Sequence, residues 1–463
     1  MNTKTSRRGF LTGSAILGAS AAMLGGTPES RAIEAKDIEI PRDFTPQTKC
    51  FMDQYYEEIL NITRGIRDTQ IGVIAQAMEK AYDLRQKGGK VNSHVVYGHY
   101  SMFAGSKDIP GQPWVLPQCG ITPTKEEFDS MGKGDFLITD RIDQGAIEAR
   151  KRGLYVVGVT NNYFKFSRTP ANGLRPNRIE SSIEDISDLV IDSQVPWDNG
   201  LVAAPQNPRF KLCPSSGITQ FLVYWACTAS LANLIGTKGK GSSSEPAERY
   251  LDMAYDRFIM IGTDRPKIDW VAEKWADLVL GRKARLLLYG HPQDVESYGG
   301  ARNMFVNDAY NCASSSMIAD QYEMRANDLR DSDIVLTGGF TSDNPLEIAV
   351  ARHSREVGAF TVAFCPFGAD GDTSGTRLYK EADVSFNSYS DESAGVIAVK
   401  GFKEKVSPLS GLTGNLIHWM LTAQWTDHMA RRGAMPYYWQ GYHEFEGDVY
   451  DNLVHPFFLK RGY

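Results

Sequence analysis

The two halves of this 463-residue chain repeat each other. Four strings of the first half return in the second half in the same order, at offsets of 192 to 205 residues: Tyr97–His99 as Tyr289–His291, Gly134–Thr139 as Ser332–Thr337, Glu148–Gly153 as His353–Gly358, and Pro214–Thr219 as Pro408–Thr413. Solenoid repeats have periods of roughly 20–50 residues, so a repeat this long indicates a duplicated domain. We therefore expect two copies of one module, with function where the copies face each other or diverge.

Helix-like and strand-like patterns alternate in each copy. Amphipathic spacing predicts helices over Tyr55–Ile66, Ile71–Arg85, Gly145–Arg152 and Thr219–Ile235 in the first copy, and over Ala247–Ile261, Ile268–Leu280, Pro345–Val357 and Leu412–Met429 in the second. Short apolar runs predict buried strands at Ser93–Tyr97, Asp135–Thr139, Leu154–Thr160 and Leu189–Ile191, and at Arg285–Tyr289, Asp333–Thr337, Phe360–Phe364 and Val384–Phe386. This alternation is typical of an α/β fold with parallel sheets and helices on both faces.

The first 32 residues have the features of an export signal. Arg7-Arg8 begin a twin-arginine string, an Ala/Gly-rich apolar run extends to Leu24, and Ser30-Arg31-Ala32 is a small-x-small cleavage site. The run is too short and too rich in small residues for a stable membrane span. We expect a Tat signal peptide over residues 1–32 and a periplasmic or extracellular protein without a membrane span after cleavage. A signal anchor or a chance Arg-Arg pair is the alternative.

Charge and cysteine usage narrow the partners. The formal net charge is −6, and loss of the signal, which carries four basic residues and one acidic residue, leaves about −9. Nucleic-acid-binding domains present a basic face, so we expect no nucleic-acid partner. None of the six cysteines forms a C-x-x-C pair, and no G-x-G-x-x-G string follows a predicted strand. We therefore expect neither a metal nor a nicotinamide cofactor.

With this order of elements, the chain resembles the SIS (sugar isomerase) domain family. The strings most similar to the family are Lys403–Ser410 and the stretch from Glu347 to Gly358, and the resemblance covers residues 50–235 and 248–430. It implies two flavodoxin-like three-layer α/β/α sandwiches, which pair and bind a sugar, usually a sugar phosphate, in the cleft between them. We place the SIS-like domains at residues 33–240 and 241–434, with an aromatic C-terminal extension over 435–463. A homodimer is also possible.

SIS domains hold phosphate with a Ser/Thr-rich loop after the second strand. The second copy keeps a hydroxyl-rich loop over Thr337–Asn344, although Gly339 stands where the family has serine. The first copy has Asp140 and Asp143 at this place, and two carboxylates repel a phosphate, although Asp143 has the alternative role of a helix cap. At most one phosphate site is therefore expected, and an unphosphorylated sugar or sugar acid is a plausible ligand, with a sugar phosphate as the alternative. The substrate-binding residues that we predict are His99, Tyr100, Ser101, Thr337, Thr341, Ser342, Asn344, Ser410 and Thr413.

Catalysis of aldose–ketose exchange needs a carboxylate base and a group that assists ring opening. We predict Glu296, His291 and His418 as the catalytic residues. His418 lies on the last helix, where phosphoheptose isomerases of the family carry a catalytic histidine. Glu347 is the alternative base, although it has the simpler role of stabilising a helix N-terminus. The histidines also have a structural alternative, as satisfied core residues.

The tail is rich in aromatic residues, which either stack on a sugar or pack across the other domain; we favour packing. His443, Glu444 and His455 in this tail are further candidates to reach the cleft. Together these features predict an exported, carbohydrate-active isomerase or epimerase. The alternative is a periplasmic sugar-binding or sensing protein without catalytic activity.

Overall fold

The computed structural model describes residues 49–94, 111–117, 129–140, 144–160, 183–196, 199–290, 308–311, 329–368, 375–390, 395–438 and 447–463. In chain order, its elements are α1 (Phe51–Gln86), β1 (Val91–His94), β2 (Phe136–Thr139), α2 (Gln144–Lys151), β3 (Tyr155–Val159), α3 (Ile183–Ile186), β4 (Leu189–Ile191), β5 (Gly200–Ala204), β6 (Asn207–Pro214), α4 (Ser216–Gly236), α5 (Glu245–Gly262), α6 (Arg265–Arg282), β7 (Leu286–Gly290), β8 (Asp308–Asn311), β9 (Ile334–Gly338), α7 (Pro345–Val357), β10 (Phe360–Cys365), α8 (Leu378–Glu381), β11 (Val384–Asn387), α9 (Ser410–Arg431) and α10 (Gly447–Arg461).

Two parallel sheets organise the chain. The first has the strand order β1-β2-β3-β4, and the second has the order β11-β10-β9-β7-β8. Every pairing within these two sheets is parallel. The order of the second sheet is the flavodoxin-like one, in which the direction of winding reverses between β7 and β9. These observations confirm the predicted α/β class with two parallel sheets.

Successive side chains of each strand point to opposite faces of the sheet and pack in different clusters. In β9, Ile334 and Leu336 belong to the main core, whereas Val335 packs with Val350 of α7 on the opposite face. In β2, Phe136 and Ile138 belong to that same main core, and Leu137 belongs to a smaller cluster on the other face. The main core also contains the buried faces of α1, α4, α5, α6 and α9. One apolar core therefore lines both sheets.

Of three local features, two differ from the sequence predictions and one agrees with them. The helical segment before the first sheet is one helix, α1, because the stretch Arg67–Gln70 between its two predicted halves contains no glycine or proline to break it. The helical segment before the second sheet is broken into α5 and α6, as predicted, just before Pro266. An antiparallel hairpin of β5 and β6 was not predicted, because the Gly200–Ala204 run lacks a polar–apolar alternation.

The same contacts recur at corresponding places of the two sheets. Asp135 and Asp333 each accept a backbone hydrogen bond from the residue before the first strand of their sheet, from Lys90 at 2.7 Å and from Arg285 at 3.3 Å. The Tyr55 hydroxyl donates to the Pro214 carbonyl, and 195 residues later the Tyr250 hydroxyl donates to the Pro408 carbonyl, both at 2.9 Å.

The backbone before the two terminal helices also has a matched conformation. Cys213 and Ser407, which precede Pro214 and Pro408, have φ values of 59° and 62°. Non-glycine residues with positive φ are uncommon, so two of them at matched places mean that each turn is held by its surroundings.

Helix α4 has the length and mean hydropathy of a membrane-crossing helix. It is the one described helix with these properties, and 89% of its most apolar window is buried inside the structure. Residues 45–463 form one compact unit. The described cysteines Cys50, Cys213 and Cys227 are free, and Cys213, Cys227 and Cys365 are buried.

Candidate functional site

The carboxyl end of the second sheet is the place where the fold favours a ligand. In doubly wound sheets, ligands bind beyond the carboxyl ends of the strands at the point where the strand order reverses. Here that point lies between β7 and β9. The loop that follows β9 leads directly into α7, whose first residue is Pro345. The predicted residues Thr337, Thr341, Ser342 and Asn344 all lie in or beside this loop.

The loop is tightly folded at Gly339. A Cβ atom added there would lie 2.9 Å from the backbone oxygen of Thr341 and 3.9 Å from Cγ of Glu347. The first of these distances is too short for a side chain, which explains why glycine replaces the serine expected from the SIS resemblance. The backbone of the loop therefore passes close to the side chain of Glu347.

Two of the predicted binding residues have structural contacts in this loop. The side chain of Asn344 is the N-cap of α7, and its Oδ1 accepts a hydrogen bond from the backbone N–H of Leu346 at 3.0 Å. Ser342 is fully buried, and its carbonyl accepts from the backbone N–H of Leu378 at 2.7 Å. Thr341 is half-buried. Binding of a ligand by these three residues stays a prediction.

Thr337 and Glu347 are the unsatisfied polar groups of this loop. We call a buried polar atom open when no described residue forms a hydrogen bond with it. Thr337 is buried near the end of β9, and its Oγ1 is open. Glu347 is only 3% exposed, and its Oε2 is open. Leaving a buried polar group without a partner costs about 1–3 kcal/mol, so native proteins keep few such groups. Their presence at the reversal of the strand order points to a binding role.

The carboxyl of Glu347 is mostly protonated, and so uncharged, at neutral pH. Burial raises its pKa from 4.5 to about 8, because the low-dielectric surroundings disfavour the charged form. A carboxylate that only stabilises a helix N-terminus gains most as an ionised, partly exposed group. Glu347 is instead buried and protonated at neutral pH, which fits a proton-transferring group better than a surface charge.

Helix α9 carries a second group of open atoms. Ser410, its first residue, has an open Oγ; the amide of Asn415 is open at both its oxygen and its nitrogen; and His418 has an open Nδ1. Asn415 is fully buried and His418 is 4% exposed. Thr413, by contrast, donates its hydroxyl to backbone carbonyls of its own helix, at 3.0 Å to both Leu409 and Ser410.

Burial also sets the charge of His418. Its pKa is lowered from 6.5 to about 4, because desolvation disfavours the imidazolium form. The ring lies edge-to-face against Trp419, with 5.0 Å between ring centroids. His418 is therefore a neutral hydrogen-bonding group at physiological pH.

Asn415 is the site residue that sequence reasoning missed. The signal was present, because Asn415 and His418 are three residues apart and so share one face of a helix. The apolar neighbours Leu416, Ile417 and Trp419 hid it, since they made the whole helix read as core. Outside this group, Thr228 and the indole nitrogens of Trp275 and Trp425 are also open.

The carboxyl end of the first sheet is arranged differently. Gln220, in the second turn of α4, donates to the carbonyl of Thr160 at 3.1 Å and to Oγ of Ser193 at 3.3 Å. Thr160 follows β3 directly and Ser193 lies two residues after β4, and Ser193 also donates a hydrogen bond to the Thr160 carbonyl. At this end of the first sheet, the described side chains thus find their hydrogen-bond partners within the protein.

Several predicted residues lie outside the described ranges. These are His99, Tyr100 and Ser101 of the first copy and His291 and Glu296 of the second. Their roles stay predictions. Among the described residues, no three His, Cys, Asp or Glu side chains are grouped as a metal site would require, and this leaves the expectation of a metal-free protein untested.

No protein-family model and no curated protein sequence matches this chain. Solved structures do match it. A candidate phosphosugar isomerase from Silicibacter pomeroyi is 12% identical with a TM-score of 0.45, and the match covers 84% of this chain and 99% of that one. A candidate sugar-binding protein from Salmonella typhimurium is 11% identical with a TM-score of 0.44, over 79% and 98% of the two chains. Glucosamine-6-phosphate deaminase from Thermotoga maritima is 11% identical with a TM-score of 0.36, over 82% and 96%. All three scores are below 0.5, so the assignment of function rests on the chain's own residues.

Proposed function

We propose that this chain is a carbohydrate-active protein of the SIS type, which isomerises or epimerises a sugar or sugar acid with Glu347 as the base. The observation that carries the proposal is the buried carboxyl of Glu347, open at one oxygen where the strand order of the second sheet reverses. Glu347 was the alternative to Glu296 in the sequence. Glu347 becomes our first choice because its carboxyl is buried and has an open oxygen, which suits a proton-transferring group.

The chemistry asked of Glu347 is the movement of one proton. In an open-chain aldose, the ionised carboxylate takes the proton from C2, and the electron pair of that C–H bond forms the C1–C2 double bond of an enediol as the carbonyl oxygen gains a proton. Return of the proton to C1, with loss of a proton from the C2 hydroxyl, gives the ketose. Only the ionised fraction acts as a base, so we expect the rate to rise with pH up to about 8.

His418 is better suited to binding a sugar hydroxyl than to donating a proton for ring opening, which is the role that the sequence suggests. A histidine whose pKa is about 4 holds almost no proton to give at pH 7. Its open Nδ1 instead suits a hydrogen bond to a sugar hydroxyl while the ring opens. Because His418 is neutral, no acid for ring opening is identified among the described residues. This supports the alternative of a binding protein.

Exchange of carbon-bound protons in D2O tests the choice between enzyme and binding protein. We expect the parent to exchange a proton of at least one sugar in a panel of aldoses, ketoses and sugar acids, and Glu347→Gln to abolish exchange while binding is retained. Glu296→Gln is the matched comparison between the two carboxyls. Equal exchange by Glu347→Gln and the parent would reject Glu347 as the base, and absence of exchange with every sugar would favour the binding protein.

We also infer that the chain is a tandem duplication, with the boundary between its copies where α4 ends at Gly236 and α5 begins at Glu245. The recurring Tyr–Pro hydrogen bonds and the matched positive φ values of Cys213 and Ser407 support it. Superposition of one half on the other should place Ser216 on Ser410 and His99 on His291. Placement of those pairs at opposite ends of their sheets contradicts the duplication.

Export through the twin-arginine route is a separate proposal, supported by Arg7-Arg8 and the short apolar run after them. The Arg7→Lys, Arg8→Lys double variant should accumulate as precursor in the cytoplasm, measured by fractionation and immunoblotting. A variant of Lys4 and Arg31, which changes charge without touching the pair, is the control. Normal export of the double-lysine protein would remove the Tat assignment.

A further inference from the structure

The first four turns of α9 present a polar stripe inside the protein. Gly411, Asn415, His418 and Thr422 follow one another at intervals of four, three and four residues, and this spacing places them along one face of the helix. All four are buried. A face buried in the core of a protein is normally apolar, so this stripe needs an explanation.

Its polar atoms lack the partners that burial demands. Of the described residues, none hydrogen-bonds to Oδ1 or Nδ2 of Asn415 or to Nδ1 of His418. The amide alone has two donor hydrogens and two acceptor positions. Four such positions are too many to leave empty by accident in one helical turn, and they can be satisfied by a bound molecule or by water.

The fold itself does not require this stripe. Helix α4 stands at the corresponding place of the first half, and the residues 194 positions before Asn415 and His418 are Phe221 and Tyr224. Phe221 needs no hydrogen bond. The hydroxyl of Tyr224 donates to the carbonyl of Leu116 at 3.1 Å and accepts from Nε2 of Gln112 at 3.3 Å. At these two matched positions α4 has no open atom, so the open amide and imidazole are particular to α9.

The chemistry of the pair selects an uncharged ligand. Asn415 has no charge, and burial keeps His418 neutral. The charged side chains of α9 itself lie in its last turns, where His428 contacts Asp269 at 2.9 Å and Arg431 contacts Asp427 at 2.7 Å. A carboxylate or phosphate placed on the stripe would find no counter-charge on this helix, whereas hydroxyl groups both donate to and accept from an amide and an imidazole.

We propose that Asn415 and His418 bind the hydroxyl groups of an uncharged polyol, that is, an alditol or the unphosphorylated part of a sugar. The Cβ atoms of the pair lie about 5–6 Å apart, so one molecule with several hydroxyl groups can contact both side chains. The proposal takes the ligand class from the proposed function and narrows it, and it does not need Glu347 to be a base.

Binding of a defined panel tests the proposal. The probes are the four- to six-carbon alditols and aldoses, with gluconate and glucose 6-phosphate as charged counterparts, measured by calorimetry and by the shift of the thermal midpoint. We expect the parent to bind at least one neutral probe, and Asn415→Leu to weaken its binding at least tenfold. Because the leucine removes an unsatisfied amide, we also expect the thermal midpoint of the ligand-free variant to stay equal or rise.

Two further variants complete the design. Asn415→Ala guards against a leucine that does not fit, and it should show the same loss of affinity. Tyr224→Phe removes a satisfied hydroxyl at the matched helix, so it should lower the thermal midpoint and leave binding unchanged. Parent protein that binds no neutral probe, or that binds the charged probes more tightly, overturns the proposal, as does unchanged affinity in both Asn415 variants. Loss of affinity in those variants without any proton exchange by the parent keeps this site and rejects the isomerase.

Discussion

The terminal helices α4 and α9 occupy corresponding places beside the two sheets, and the polar groups in their first two turns differ in whether they have partners. On α4, Ser216 accepts from Nδ2 of Asn199 at 3.0 Å, and Gln220 bonds to residues at the end of the first sheet. On α9, Ser410 at the position of Ser216 is open, and Gly414 stands where α4 has Gln220. These polar groups of α4 have partners within the protein, whereas those of α9 stay open. On this difference we base the proposal that the second half binds the ligand.

The largest expected effect concerns Glu347, and its sign follows from the direction of the pKa change. Between pH 4.5 and about 8 the unfolded chain loses the proton of this carboxyl and the folded chain keeps it, so the parent loses stability as pH rises through that window. Glu347→Gln removes this loss. Its free energy of unfolding, from urea titrations, should exceed that of the parent by roughly 3–5 kcal/mol at pH 8 and by little at pH 4.5.

Glu148→Gln is the control for that experiment. Glu148 lies on α2, the helix that corresponds to α7, and its half-exposed carboxylate pairs with Arg152 at 2.9 Å. Loss of this surface pair should cost at most about 1 kcal/mol. If the curves of Glu347→Gln and the parent run parallel over the whole pH range, the carboxyl is not buried in solution and the two sheet ends are less different than we propose.

An intermediate effect is expected at His418, with the opposite sign. Between pH 6.5 and about 4 the unfolded chain gains a proton on this ring that the folded chain does not accept, so stability falls as pH falls through that window. His418→Leu should be free of this loss, and its advantage over the parent should grow by about 2–3 kcal/mol from pH 6.5 to pH 4.5. Tyr224→Phe at the matched position should differ from the parent by a constant amount, because burial raises the pKa of Tyr224 to about 12.

The smallest expected effect concerns the end of the first sheet. Gln220→Leu removes one of two donors to the Thr160 carbonyl, and Ser193 still donates to it. We therefore expect a loss of about 1 kcal/mol in urea titrations and no change in the affinity for any sugar. A measurable drop in sugar affinity would show that the first half also binds ligand, and the contrast between the two halves would have to be withdrawn.

The sequence predicted the elements whose signal is local and missed those that depend on distant partners. The apolar runs at β9 and β10 are strands because both of their faces are buried, and this is visible in the residues themselves. The role of Gln220 could not be predicted, since its partners lie 60 and 27 residues away. The open amide of Asn415 was hidden for the same reason: whether a buried polar side chain has a partner depends on packing across the whole core.

The candidate site was predicted in part. The loop after β9, its hydroxyl-rich character and the alternative role of Glu347 followed from the strand and helix patterns. The ranking of Glu347 against Glu296 did not, because desolvation, which sets the pKa of a carboxyl, has no signature in the neighbouring letters. In the sequence, Gly339 reads as the loss of a phosphate-binding serine. The structure gives a steric reason instead, because a side chain there would be too close to the backbone oxygen of Thr341.

The single apolar core that lines both sheets makes the two halves dependent on each other for folding. Ser407 of the second half donates its hydroxyl to the carbonyl of Trp225 at 2.9 Å and its backbone N–H to the carbonyl of Gly111, also at 2.9 Å. A half produced alone would expose to water the side chains that the other half covers. Folding of the second half therefore depends on the core-facing residues of the first half, and substitutions of those residues should unfold the candidate site as well. The carboxyl end of the first sheet is under no such constraint, so it can lose a ligand-binding role.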